Sequence, residues 1–169
     1  KMGGIPHIFT VLESLKAEFG NEPYNFFSLG NVISGTADGY FTKGKAVIRA
    51  FNFLKPDGML VGNQEFIFGK DNLAELSRLA DFPFISSNLT EESSGKAPPF
   101  IVSEKIVYHG SLRIGVIAHT PTFTPSATAR ENVEGLKFIP LRDTIGPRIA
   151  EMREKGVNLI ILLSLYNFK

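Results

Sequence analysis

The sequence contains no cysteine and no tryptophan, and only three histidines (His7, His109 and His119) among 169 residues. Without cysteine there are no disulfides, no zinc–thiolate sites and no thiolate nucleophile. Its absence does not fix the compartment. A His-rich dinuclear metal site would need most of the three histidines to converge. Charge of one sign is missing too: 18 Lys+Arg against 17 Asp+Glu leave a net charge of +1. That excludes a protein holding nucleic acid by bulk electrostatics, which needs clustered Lys and Arg. No apolar run reaches the ~20 residues of a bilayer span. The chain opens on Lys1 with no leader before it, as a processed chain or the ordered part of something longer would.

What is present is ordinary for a globular domain: 43% hydrophobic and 21% charged residues. A chain of this length buries roughly 70% of its unfolded surface, so residues 1–169 read as a single domain. Residues 4–19 read as an amphipathic helix with the stripe Ile8, Val11, Leu12, Leu15 and Phe19, ended by Gly20-Asn21. A strand is expected over 24–29, then a Gly-rich loop over 30–44. A second helix carries Ala46, Val47, Ala50, Phe51 and Leu54. Short strands follow over 59–61 and 82–87, flanking a helix that starts at an Asp71 N-cap and carries Leu73, Leu76 and Leu79. Residues 88–99 read as a polar surface loop. Residues 100–108 and 112–118 read as a hairpin turning at His109-Gly110-Ser111. A second loop over 121–135 precedes a helix over 144–155. The apolar run 157–163 reads as a strand buried on both faces. Strands alternating with helices predict a layered α/β fold with a largely parallel sheet, its chemistry on loops beyond the carboxyl ends of strands.

Several motifs have a bland reading. Gly39-Tyr40-Phe41-Thr42-Lys43-Gly44-Lys45 has the spacing of a phosphate-cradling loop, but Ala46 stands where a magnesium-binding hydroxyl is needed. Asn88-Leu89-Thr90 is a glycosylation triplet by pattern only. His7 falls in a first helical turn and His109 in a turn. His119, at a strand end, is a candidate ligand.

Three strand ends are more telling: Ser28-Leu29-Gly30-Asn31, Val61-Gly62-Asn63-Gln64-Glu65-Phe66-Ile67-Phe68-Gly69, and Leu162-Leu163-Ser164-Leu165. Together with Gly3-Gly4, the segment from Thr42 to Val47, and Asp71-Asn72-Leu73, their order resembles the catalytic domain of calcineurin-like metallophosphoesterases of the 5′-nucleotidase branch. The resemblance implies an α-β-β-α sandwich with mostly parallel or mixed sheets, incomplete in this chain. It also implies a dinuclear metal site that hydrolyses phosphate monoesters of nucleotides, with two cations ~3.5–4 Å apart clamping the phosphate.

The same resemblance places the bridging Asp on Asn31, the catalytic His on Gln64, the Asp that orients this His on Ile67, and a metal-ligand His on Leu165. Asn63 alone keeps its ligand type. A neutral amide cannot offset the repulsion of two divalent ions, and Gln64 cannot carry a proton between pH 5 and 8. Apolar residues at 67 and 165 suit a pocket that holds no ion. The expected function is a degenerate domain without cofactor. It would keep at most an assembly role, or nucleotide or phosphate binding through Asn31, Asn63, Gln64 and Ser164, helped by Ser34 and Thr36. The alternative is an active phosphoesterase with a Mn, Zn or Mg pair, using Glu65, Asp38 and His119 as salvage groups. An extracytoplasmic setting follows from the resemblance. An exposed sheet face would be covered by further chain or by a second copy.

Overall fold

The computed structural model describes residues 4–20, 22 and 24–166. Gly3 and Asn21, which the sequence reading used as landmarks, lie outside them. The elements in chain order are α1 (Ile5–Phe19), β1 (Phe27–Ser28), α2 (Ala37–Phe41), α3 (Lys45–Leu54), β2 (Gly58–Leu60), α4 (Gly69–Leu79), β3 (Phe84–Ile85), β4 (Leu89–Glu91), β5 (Glu104–His109), β6 (Leu112–His119), β7 (Leu136–Phe138), α5 (Leu141–Glu154) and β8 (Leu159–Ser164). Short 3₁₀ turns occupy Gln64–Phe66, Thr124–Ser126 and Arg130–Val133.

Two three-stranded sheets form the middle of the molecule. One has the parallel order β1-β2-β3; the other has the order β5-β6-β8, antiparallel then parallel. Strand alternation sorts their side chains into layers. Leu60 and Ile85 of the first sheet pack on Val116, Ala118 and Leu163 of the second. On the other face of the first sheet, Met59 and Phe84 meet Leu12 of α1, Ile48 and Phe51 of α3, and Leu73 and Leu76 of α4. On the other face of the second, Ile117 meets Met152 of α5. The order is therefore helix, sheet, sheet, helix, the layered α/β arrangement expected. β4 and β7 pair antiparallel as a small separate ribbon.

The structure corrects several expectations. Of the α1 stripe only Leu12 is buried; Val11 and Phe19 are 52% and 58% exposed, since among the described residues α1 has a layer on one side only. The strand over 157–163 begins at Leu159 and is mostly half-buried, because among the described residues it pairs with β6 alone and stands at the edge of that sheet. The 88–99 segment is not all surface loop. Asn88 is fully buried and β4 follows it. Its side chain accepts from Thr120 N–H (2.8 Å) and Ser86 Oγ (3.2 Å) and donates to the carbonyls of Thr120 (2.9 Å) and Ile139 (3.0 Å). The amide nitrogen of the glycosylation triplet is thus buried and bonded. Asp71 lies in the first turn of α4, whose N-cap is Phe68. The 30–44 loop contains α2, capped by Thr36. Gly44 precedes α3 with φ 89°, so the phosphate-loop spacing falls on a helix–turn–helix with no strand before it.

Candidate functional site

β1 and β2 lie side by side and parallel, so their carboxyl ends deliver two loops to the same place, one from Leu29 and one from Val61. Two glycines allow the loops to touch. Gly30 has φ +73°, and a Cβ there would stand 2.3 Å from the Leu60 carbonyl oxygen; one at Gly62 would stand 2.2 Å from Asn31 Oδ1. Glu65 then ties the loops together. Its fully buried carboxylate accepts from the backbone N–H groups of Asn31 (2.8 Å), Val32 (2.9 Å) and Gly62 (2.8 Å). Burial pushes the Glu65 carboxyl up from its ordinary range, and the three N–H donors pull against that.

Asn31 sits in the left-handed region at φ 56°, which Asn tolerates better than most side chains. Its Oδ1 accepts from Gln64 N–H at 3.0 Å, and its Nδ2 donates to Asn63 Oδ1 at 3.2 Å. Ser34 Oγ donates to Gln64 Oε1 at 3.3 Å near the surface. The structure therefore brings Asn31, Asn63 and Gln64 into one hydrogen-bonded group, with Ser34 beside it and Glu65 beneath.

The other predicted positions lie elsewhere. Leu165 packs against the apolar layer between the sheets, beside Leu163. Ser164 alternates to the opposite side, in register with His119, and its hydroxyl accepts from Tyr166 N–H at 3.1 Å. Ile67 is 42% exposed. Asp38 is exposed in the first turn of α2, and Thr36 is occupied as its cap. His119 is 1% exposed, its ring tilted 46° to the Tyr166 ring at 5.5 Å between centroids, with no hydrogen-bond partner on either ring nitrogen. Burial pushes its pKa down; the Ile139 carbonyl acts the other way without reaching hydrogen-bond geometry. His119 follows Ala118, which faces the layer between the sheets, so its ring is on the α5 side and away from the Asn31 group.

Sequence reasoning missed a latch beneath this site. Thr120 Oγ1 donates to the Val61 carbonyl (2.7 Å) and bonds Ser86 Oγ (2.7 Å), while Asn88 holds the Thr120 backbone. These residues fasten the carboxyl end of β2 to that of β6. The only local signal was Asn88 beside a strand end, read as a loop residue.

The metal pair implied by the sequence resemblance can be tested against these donors. Two divalent cations at close range need anionic oxygens and imidazoles to offset their charge. Here the Asn31 amide presents its N–H, not an oxygen, to Asn63, and Glu65 already accepts three backbone donors. Among the described residues no three His, Cys, Asp or Glu side chains are grouped to hold an ion. These residues do not fit the metal pair.

No family model matches the chain. Curated relatives do. The chain is 31% identical over 169 residues to a snake venom 5′-nucleotidase of Gloydius brevicauda, covering 98% of this chain and 28% of the relative. It is 26% identical over 168 residues to a probable 5′-nucleotidase of Treponema pallidum, covering 99% of this chain and 28% of the relative. Among solved structures, the sulfate thiohydrolase SoxB of Thermus thermophilus superposes with a TM-score of 0.88 at 22% identity, over 96% of this chain and 30% of that one. A 5′-nucleotidase precursor of the same organism superposes with a TM-score of 0.84 at 23% identity, over 96% and 31%. The fold is that of calcineurin-like phosphoesterases, and the homologues of this chain are 5′-nucleotidases. The chain belongs with that family and spans about 30% of the length of the relatives it matches.

Proposed function

We propose that this is a degenerate 5′-nucleotidase-like domain that does not carry out dinuclear metal hydrolysis and has at most a ligand-binding or assembly role. The observation that carries this reading is the fate of the family positions: amides at 31 and 64, an exposed alkyl group at 67, and Leu165 packed into the layer between the sheets. With no imidazole or free carboxylate at those places, nothing generates hydroxide or protonates a leaving group there. The polar atoms that remain are neutral. Asn63, Gln64 and Ser34 suit weak, metal-independent contact with a nucleotide or phosphate oxygen, with Ser164 at the neighbouring strand end. An extracytoplasmic setting belongs to the same reading, as the relatives include venom enzymes. Among the described residues no helix is long and apolar enough to cross a membrane. The open faces of α1 and β8 would be covered by further chain or by a second copy.

The test is incubation of the purified protein with AMP and p-nitrophenyl phosphate plus Mn²⁺, alongside elemental analysis. Sub-stoichiometric metal and no turnover are expected. Near-stoichiometric metal with turnover establishes instead the active phosphoesterase that the relatives' names suggest.

A further inference from the structure

We infer that Tyr166 is a cap over His119, latched through its hydroxyl to Thr122, and that the cap opens when the His119 imidazole takes a proton. The inference stands apart from the ligand-binding reading and concerns how the β6–β8 end is closed. His119 and Ser164 are the last residues of β6 and β8 and lie in register. Beyond them, the side chain of Tyr166 ties the two segments together. Its backbone N–H donates to Ser164 Oγ at 3.1 Å, which holds it to the end of β8. Its hydroxyl reaches the segment after β6, accepting from Thr122 N–H at 2.9 Å and bonding Thr122 Oγ1 at 2.8 Å. Between these two anchorages the ring lies against the imidazole. Tyr166 is partly exposed and His119 is buried, so the phenol stands on the solvent side.

Neither ring nitrogen of His119 has a partner. A neutral imidazole leaves one donor and one acceptor unmet; an imidazolium leaves two donors and a charge. The buried charge is far the costlier, so the closed cap refuses the proton. The surroundings supply no counter-charge. On β5, Glu104 faces the α5 side opposite Ile117 and is paired with Lys155. On α5, Arg148 is paired with Glu151, while Arg142 and Asp143 are exposed. Lys137 is exposed, Arg113 stands at the far end of β6 beside Gly156, and residues 120–126 carry no charge. Burial holds the imidazole below its ordinary range, and only the Ile139 and His119 backbone acts against it. Moving Tyr166 aside brings the ring to water. That breaks the two Thr122 contacts, both at the surface, where water replaces them. Both sheets stay paired, so the change is a local opening and not unfolding. Acid therefore frees the chain after Ser164 and bares an imidazolium beside the Ser164 hydroxyl.

The experiment is NMR on the wild-type chain, Tyr166→Phe and Tyr166→Ala. It follows the histidine ring protons from about pH 8 to 5 and the exchange of the Thr122 amide, corrected for its intrinsic pH dependence. In the wild type His119 should titrate below the ordinary 6.5. Thr122 exchange should be up to about tenfold faster near pH 5.5 than near pH 7.5, since the open form takes the proton at the ordinary value. The Met59 and Val61 amides, bonded to the Pro83 and Ile85 carbonyls, should exchange more slowly than Thr122 throughout. Tyr166→Ala should raise the His119 titration toward the ordinary value. Tyr166→Phe, which keeps the ring and loses the latch, should fall between that variant and the wild type. An unmoved His119 titration in Tyr166→Ala overturns the inference, because another group then closes the site. So does Thr122 exchange that ignores pH. So does exchange that merges with that of Met59 and Val61, since water then reaches His119 only when the whole chain unfolds. Should Tyr166→Ala not fold, wild-type Thr122 exchange and the Tyr166→Phe titration decide the matter.

Discussion

The carboxyl ends of the two sheets differ in how their polar groups are satisfied. At the β1–β2 end, Asn31, Asn63, Gln64 and Glu65 form a closed hydrogen-bond group. At the β6–β8 end, Leu165 is partly buried against the layer between the sheets, while His119 is buried with both ring nitrogens unpartnered. An unpaired buried polar atom costs stability, whereas a satisfied one is close to neutral. The first end is therefore a rigid platform. The second is dominated by apolar packing and carries one stressed titratable group. The two strand ends are thus built differently, one around a polar network and the other around apolar packing.

The comparison is broken most severely at Glu65. Replacing it with Ala strands three N–H groups, and we expect a loss of about 4 kcal/mol in urea unfolding; a loss under ~1 kcal/mol would mean that water serves as well as the carboxylate and the platform is not rigid. Gly30→Ala comes next, at about 3 kcal/mol, because it places a Cβ on the Leu60 carbonyl at positive φ. Asn88→Ala, which cuts the latch joining the two ends, should cost roughly 2–3 kcal/mol and uncouple them in amide exchange. Uniform exchange across both ends after that change would show that the latch does not couple them.

The smallest effect is the pH response at the β6–β8 end. The folded pKa of His119 lies below the ordinary 6.5, so the unfolded chain binds its proton first. His119's neutral form contributes its full stability above about pH 6.5. That contribution is lost as pH falls from there through the depressed folded value, by at most ~1.4 kcal/mol per pH unit. His119→Leu should flatten this slope in urea unfolding between about pH 7 and 5. An unchanged slope would assign it to other groups and remove the stress inferred at this end.

Much of the fold was legible in local pattern. α3 and α4 announced themselves by helical spacing of Val47, Phe51, Leu54, Leu73 and Leu76, all buried. The β5–β6 hairpin turned where Gly110-Ser111 allowed. The site's members at 31, 63 and 64 were legible through the family resemblance carried by the strand ends at Gly30-Asn31 and Gly62-Asn63-Gln64. The α1 stripe and the 157–163 run misled, since periodicity reports which face is apolar and not whether anything lies over it. Asn88 misled for the converse reason: a polar residue near Ser and Thr reads as loop unless its four partners are seen.

Sequence alone determined the main alternation of strands and helices, without α2, β4 and β7, together with the neutral chemistry at positions 31 and 64 and the apolar character of 67 and 165, because these are properties of residue type and spacing. Tertiary structure decided that the Asn31 amide faces Asn63 with its N–H, that Glu65 joins two loops, and that His119 lies on the α5 side of its sheet. Those outcomes depend on pairing between segments roughly thirty or more residues apart, and local sequence carries no register for such pairing.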